Sequence, residues 1–197
     1  MTQHWQILSI LLVLVATPSH ADDWPQWRGP TGDNHAAPTA TAPVEWDETK
    51  NIEWLVRVAG RGHSSPTIVG NRIYLTTADE KEQTQSLLIL DIANGQLLTH
   101  EVVHRGGFPE NIHKKNTHAS STVASDGQRV FALFHNRDAA WVTAFDLSGQ
   151  QLWQQRALGF KPVLYEFGFG SSPVVVDDTV IVASEYDGPE SGIVALD

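Results

Sequence analysis

Ser64-Ser65-Pro66-Thr67-Ile68-Val69-Gly70-Asn71-Arg72-Ile73-Tyr74-Leu75 reads as a β-branched run, a turn pair and a second run, and it recurs twice. The second copy is Ser120-Ser121-Thr122-Val123-Ala124-Ser125, then Asp126-Gly127, then Arg129-Val130-Phe131-Ala132. The third is Ser171-Ser172-Pro173-Val174-Val175-Val176, then Asp177-Asp178, then Val180-Ile181-Val182. Each turn pair falls six residues after the first serine. Gly, Asn and Asp tolerate the positive φ of tight turns, so each copy predicts a hairpin.

The alignment extends downstream. Leu87-Leu88-Ile89-Leu90-Asp91 matches Val142-Thr143-Ala144-Phe145-Asp146 and Ile193-Val194-Ala195-Leu196-Asp197. Asn94-Gly95 and Ser148-Gly149 then supply another turn, ahead of a fourth strand. The serine-to-serine period is 56 residues and then 51. Four short antiparallel strands per period of that size describe the blade of a β-propeller. The predicted fold is therefore all-β, with about three four-stranded blades.

Trp54 and Arg57 repeat the spacing of Trp153 and Arg156, each pair just ahead of a Ser-Ser-Pro strand. Residues 51–58 are thus expected to form the fourth strand of a closing blade. Blade one is expected over residues 63–103, blade two over 118–157, and an incomplete blade three over 170–197. Rings need about four to eight blades, so the expectation is a fragment of a larger ring. Residues 22–50 form a Trp-, Pro- and Gly-rich lead segment, whose Trp24, Trp27 and Trp46 are expected to be buried across the ring.

Residues 1–21 read as an export signal. Residues 7–15 are apolar apart from Ser9, a stretch too short to span a bilayer. Ser19 and Ala21 place small residues three and one positions before a cut, so the mature chain is expected to start at Asp22 and to carry no transmembrane segment. The segment before Ile7 lacks the usual Lys or Arg. With no cysteine, disulfides, thiolate metal sites and lipidation at a cysteine are excluded. The 13 basic and 23 acidic residues give a net charge of -10, and Lys114-Lys115 is the only basic pair. Nucleic acid is not an expected partner.

Asp146, Gly149 and Trp153 resemble the tryptophan-docking motif of quinoprotein-type propellers, with Thr99 standing where blade one would carry the tryptophan. Asp23-Trp24-Pro25-Gln26-Trp27-Arg28-Gly29-Pro30 and Lys115-Asn116-Thr117-His118-Ala119-Ser120-Ser121 are similar to the opening and second blade of secreted pyrroloquinoline-quinone-like (PQQ-like) repeat proteins. The resemblance covers the whole mature segment. It places the chain in the quinoprotein alcohol dehydrogenase-like superfamily, similar to the propeller lipoproteins of outer-membrane assembly. It implies an exported scaffold, periplasmic or extracellular, that binds another protein of the cell envelope and needs no cofactor. The alternative it carries is a PQQ-dependent oxidoreductase with PQQ and calcium on the axis. The adjacent-cysteine ring of many such enzymes cannot form here. A carbohydrate-binding module, using exposed tryptophans, is a third reading.

The candidate metal ligands are His104, His113 and His118, with Glu110 among them. Their spacings of nine and five match no helical or hairpin ligand pattern, and they are expected to be loop histidines, with His118 hydrogen-bonded where the chain enters blade two. Gly60-Arg61-Gly62-His63 and Phe167-Gly168-Phe169-Gly170 look like phosphate loops but lack the terminal Lys and precede strands. They read as pivots into the innermost strands. No catalytic residue is identified.

Overall fold

The computed structural model describes residues 23–164 and 167–197, and none of these is helical. The predicted export signal lies outside them. Blade one is β1 (Thr67–Val69), β2 (Arg72–Asp79), β3 (Thr84–Asp91) and β4 (Leu97–Arg105), antiparallel and hydrogen-bonded in that order. Blade two repeats it with β5 (Ala124–Ser125), β6 (Arg129–Asn136), β7 (Ala139–Asp146) and β8 (Gln151–Gly159). A third sheet holds β9 (Val174–Val176), β10 (Thr179–Ser184) and β11 (Gly192–Leu196). The architecture is that of partial propeller blades.

The repeat is faithful to the level of register. Arg72 faces Asp91 in blade one, and Arg129 faces Asp146 in blade two. Irregularities fall at Gln85/Ser86 and Ile89/Leu90, then at the matching Ala140/Trp141 and Ala144/Phe145. Each bends the outer strand and increases its twist. The predicted turns hold too, for Gly70, Gly127 and Asp177 all have positive φ.

Side-chain alternation explains the stacking of the blades. In β6, Val130, Ala132 and Phe134 face blade one and pack with Tyr74, Leu87 and Ile89. Phe131 and Leu133 face the other way and pack with Val180, Val182 and Leu196. A strand buried on both faces reads as a continuous apolar run, and β6 has that composition. The outer face of blade one, with Ile73, Leu88 and Leu90, is covered by Trp54 and Val56. Residues 51–58 make this contact without forming a strand.

The inner strands are tied in series near the axis. Ser65 N donates to Thr122 Oγ1 at 2.9 Å, and Thr122 N donates to Ser172 Oγ at 3.0 Å. The lead segment then crosses all three. Trp24 exchanges two backbone hydrogen bonds with Ile68 of β1, both 2.9 Å. Ser125 of β5 donates its N–H to Pro25 O at 2.8 Å, and Val175 of β9 donates to Gln26 Oε1 at 3.4 Å. Burial of the lead tryptophans is only partial. Trp24 is half-buried over Gly29, whereas Trp27 and Trp46 are exposed. The reason is that only residues 23–26 reach the strand edges.

Candidate functional site

The two ends of the blades differ. One end carries the tight β1–β2 and β3–β4 turns. The other gathers the β2–β3, β6–β7 and β10–β11 connections and both long crossings between blades, residues 106–123 and 160–173. Long loops on a rigid scaffold are where binding groups concentrate.

The crossings are laced together. Asn116 Nδ2 donates to Phe167 O at 2.7 Å. Gln85 Nε2 donates to His118 O at 2.7 Å and to His135 O at 2.9 Å, while Asn136 Nδ2 donates to Gln85 Oε1 at 3.0 Å and to Gly106 O at 2.7 Å. Asp187 holds the second crossing from the third sheet, accepting from Val163 N at 3.2 Å and Leu164 N at 2.9 Å. Those bonds hold the Asp187 carboxyl below its usual range. They also present Val163 and Leu164 outward, each 73% exposed, with Phe167 at 59%.

Between the crossings lies a cleft of about 400 Å³, walled in part by Phe108, Ile112 and Phe160, with Glu110, His135, Asp138 and Lys161 in its lining. Asp138 pairs with Lys161 at 2.8 Å. His135 is 8% exposed, stands edge-on to Phe160 with ring centres 4.8 Å apart, and its Nε2 has no hydrogen-bond partner. Burial pushes its pKa down to about 4, with Asp138 opposing the shift, so the ring is neutral near pH 7. A second hollow of about 490 Å³ shares Asp138 and Lys161 and is bordered by Arg156 and Glu190, themselves paired at 2.7 Å.

The three candidate histidines do not converge. His104 is in strand β4 rather than on the loop, because the fourth strand runs on to Arg105. Its ring meets the edges of Phe134 and Trp141, and burial first, then Arg137, lowers its pKa to about 4. His118 stacks on Phe108 at 4.1 Å, and its carbonyl rather than its ring accepts from Gln85. His113 is exposed, with Phe167 5.5 Å away between ring centres. Among the described residues no group of three or more His, Cys, Asp or Glu side chains could hold a metal ion.

A quinone with calcium on the axis would need oxygen ligands, carboxylates above all, along the innermost strands. Those strands carry no carboxylate, their hydroxyls on Thr67 and Ser125 are buried and bonded within the fold, and residues 23–26 cross their edge. The described residues do not fit the group. The first glycine loop is closed by backbone. A Cβ on Gly60 would lie 2.7 Å from Ala78 O, and one on Gly62 would lie 2.6 Å from Thr76 O, so backbone packs where a phosphate would have to sit.

Sequence reasoning missed His135, Asp138, Phe160 and Lys161. One signal was available for His135: the alternation that puts Phe131 and Leu133 on one buried face of β6 puts His135 there as well. The turn at Arg137 and Asp138, both at positive φ, had no glycine to mark it.

A family model described as outer membrane protein assembly factor BamB matches residues 32–140. No curated protein matches the chain. Among solved structures the chain is similar to BamB from Moraxella catarrhalis, at 17% identity and a TM-score of 0.43. That match covers 66% of this chain and 36% of the other, so the chain spans little more than a third of that relative's length.

Proposed function

Because this chain belongs to the family described as outer membrane protein assembly factor BamB, which matches more than half of its length, we propose that it is an exported, non-catalytic propeller that docks another protein of the cell envelope. The docking surface is the loop end of blade two. One observation carries this reading: Val163, Leu164 and Phe167 are apolar and exposed on the second crossing, where Asp187 accepts from the amides of Val163 and Leu164 and Asn116 donates to the Phe167 carbonyl. Apolar side chains whose backbone is already held lose less entropy on binding.

Other features agree. A net charge of -10 with a single basic pair disfavours nucleic acid. No helix among the described residues is long and apolar enough to cross a membrane. The small residues Ser19 and Ala21 support export with cleavage before Asp22.

The test uses a photo-crosslinking residue at Leu164 and, separately, at Asn94 in the β3–β4 turn at the opposite end. Adducts of discrete mass are expected from position 164 and not from 94, and adding Val163→Asp beside the cross-linker should weaken them about tenfold. Equal labelling from both ends, or none from 164, refutes the assignment.

A further inference from the structure

The cleft beside the exposed loop has a composition that apolar docking leaves unused. Phe108 and Phe160 give it aromatic walls, and Glu110 and Asp138 bring carboxylates to its lining. Glu110 is exposed and has no ion-pair partner among the described residues. Asp138 holds Lys161, a surface side chain 70% exposed and free to swing aside. His135 backs the same lining, more than nine-tenths buried, with its Nε2 closed off from solvent, so it adds no charge to the wall at neutral pH.

We infer that this cleft takes the side chain of an arginine presented by the protein partner. A guanidinium is flat enough to stack on phenyl rings, and its fork of N–H groups matches a carboxylate. It offers five donors, enough for Glu110 and for Asp138 once Lys161 has moved. A chain with net charge -10 also draws a cationic partner from a distance. The inference rests on the reading of this end as a docking surface and specifies the chemistry of what docks.

The test titrates the purified protein with N-acetyl-arginine amide, N-acetyl-citrulline amide and N-acetyl-leucine amide, following the methyl signals of Ile112, which lines the cleft. The arginine amide should give saturable shifts. The citrulline amide, of the same shape but uncharged, should bind about tenfold more weakly, and Glu110→Gln should weaken the arginine amide about fivefold. Glu110 is on the surface, so an unchanged spectrum elsewhere will show that this variant is folded. Equal binding of citrulline, preference for leucine, shifts centred elsewhere or no shifts would each overturn the inference. Failure here with cross-links from position 164 intact removes the arginine site alone, whereas loss of those cross-links removes the docking reading.

Discussion

His135 packs against Phe160 and Phe169, with ring centres 4.8 and 6.4 Å away, and burial holds its pKa near 4. The unfolded imidazole titrates near pH 6.5, so between 6.5 and 4 the unfolded chain binds a proton that the folded chain refuses. Stability is therefore full above about pH 6.5 and is lost as pH falls toward 4. For His135 the loss is of the order of 3 kcal/mol. His104, lowered to about 4 as well, adds to the same window. Urea unfolding at pH 7 and pH 4.5 should show this slope, and His135→Phe should remove about half of it, leaving the share of His104. An unchanged slope in that variant would mean that the ring is protonated in the fold. The site was poorly legible in the sequence because proximity, not motif, makes it: Phe160 is near His135 only after β7 and β8 have folded back.

At the scale of elements, one docking device recurs along the chain. Trp54 donates Nε1–H to Ile92 O at 2.9 Å and lays its ring over Gly95 in the β3–β4 turn. Thr99, on β4, repeats the contact one blade on, donating to Ser148 O at 3.1 Å with its methyl against Gly149. Threonine covers less than tryptophan, and blade one compensates with Arg72 and Tyr74, both of which donate to Leu147 O. The glycines are required on two counts, positive φ and contact: a Cβ on Gly95 would lie 2.6 Å from the Trp54 ring. Gly95→Ala should destabilise by roughly 1–3 kcal/mol, and chemical denaturation will read the effect. Trp54→Ala should cost about 2 kcal/mol, below the roughly 3–5 of a fully buried aromatic, because Trp54 is half-buried. If both substitutions are neutral, the ring does not rest on the turn. The strands were legible because two-residue alternation and turn chemistry are local. Trp54 was legible through its spacing from Arg57, which repeats at Trp153 and Arg156, whereas the face of blade one that it covers was not, because Ile73, Leu88 and Leu90 come together only in the folded sheet.

At the scale of the molecule, residues 23–26 join three sheets that otherwise meet only through their neighbours. Deleting residues 23–30 should leave each sheet formed but expose the amides of Ile68, Ser125 and Val175, with exchange about tenfold faster by mass spectrometry. Unchanged protection would show that the segment adds nothing to the assembly. The succession of blades was legible in the sequence, because turn pairs of Gly, Asn, Asp and Ser fall at matching positions in each repeat. The path of the lead segment was not, for its partners lie far along the chain and its own residues show no periodicity.

That path also orders events in time. Synthesis proceeds from the N-terminus, so Gln26 leaves the ribosome 149 residues ahead of Val175, the last strand it touches. A segment made early is completed late. Trp24 and Pro25 find their partners on blades one and two first, and until the third sheet emerges the Gln26 end of the lead peptide stays open to chaperones and proteases.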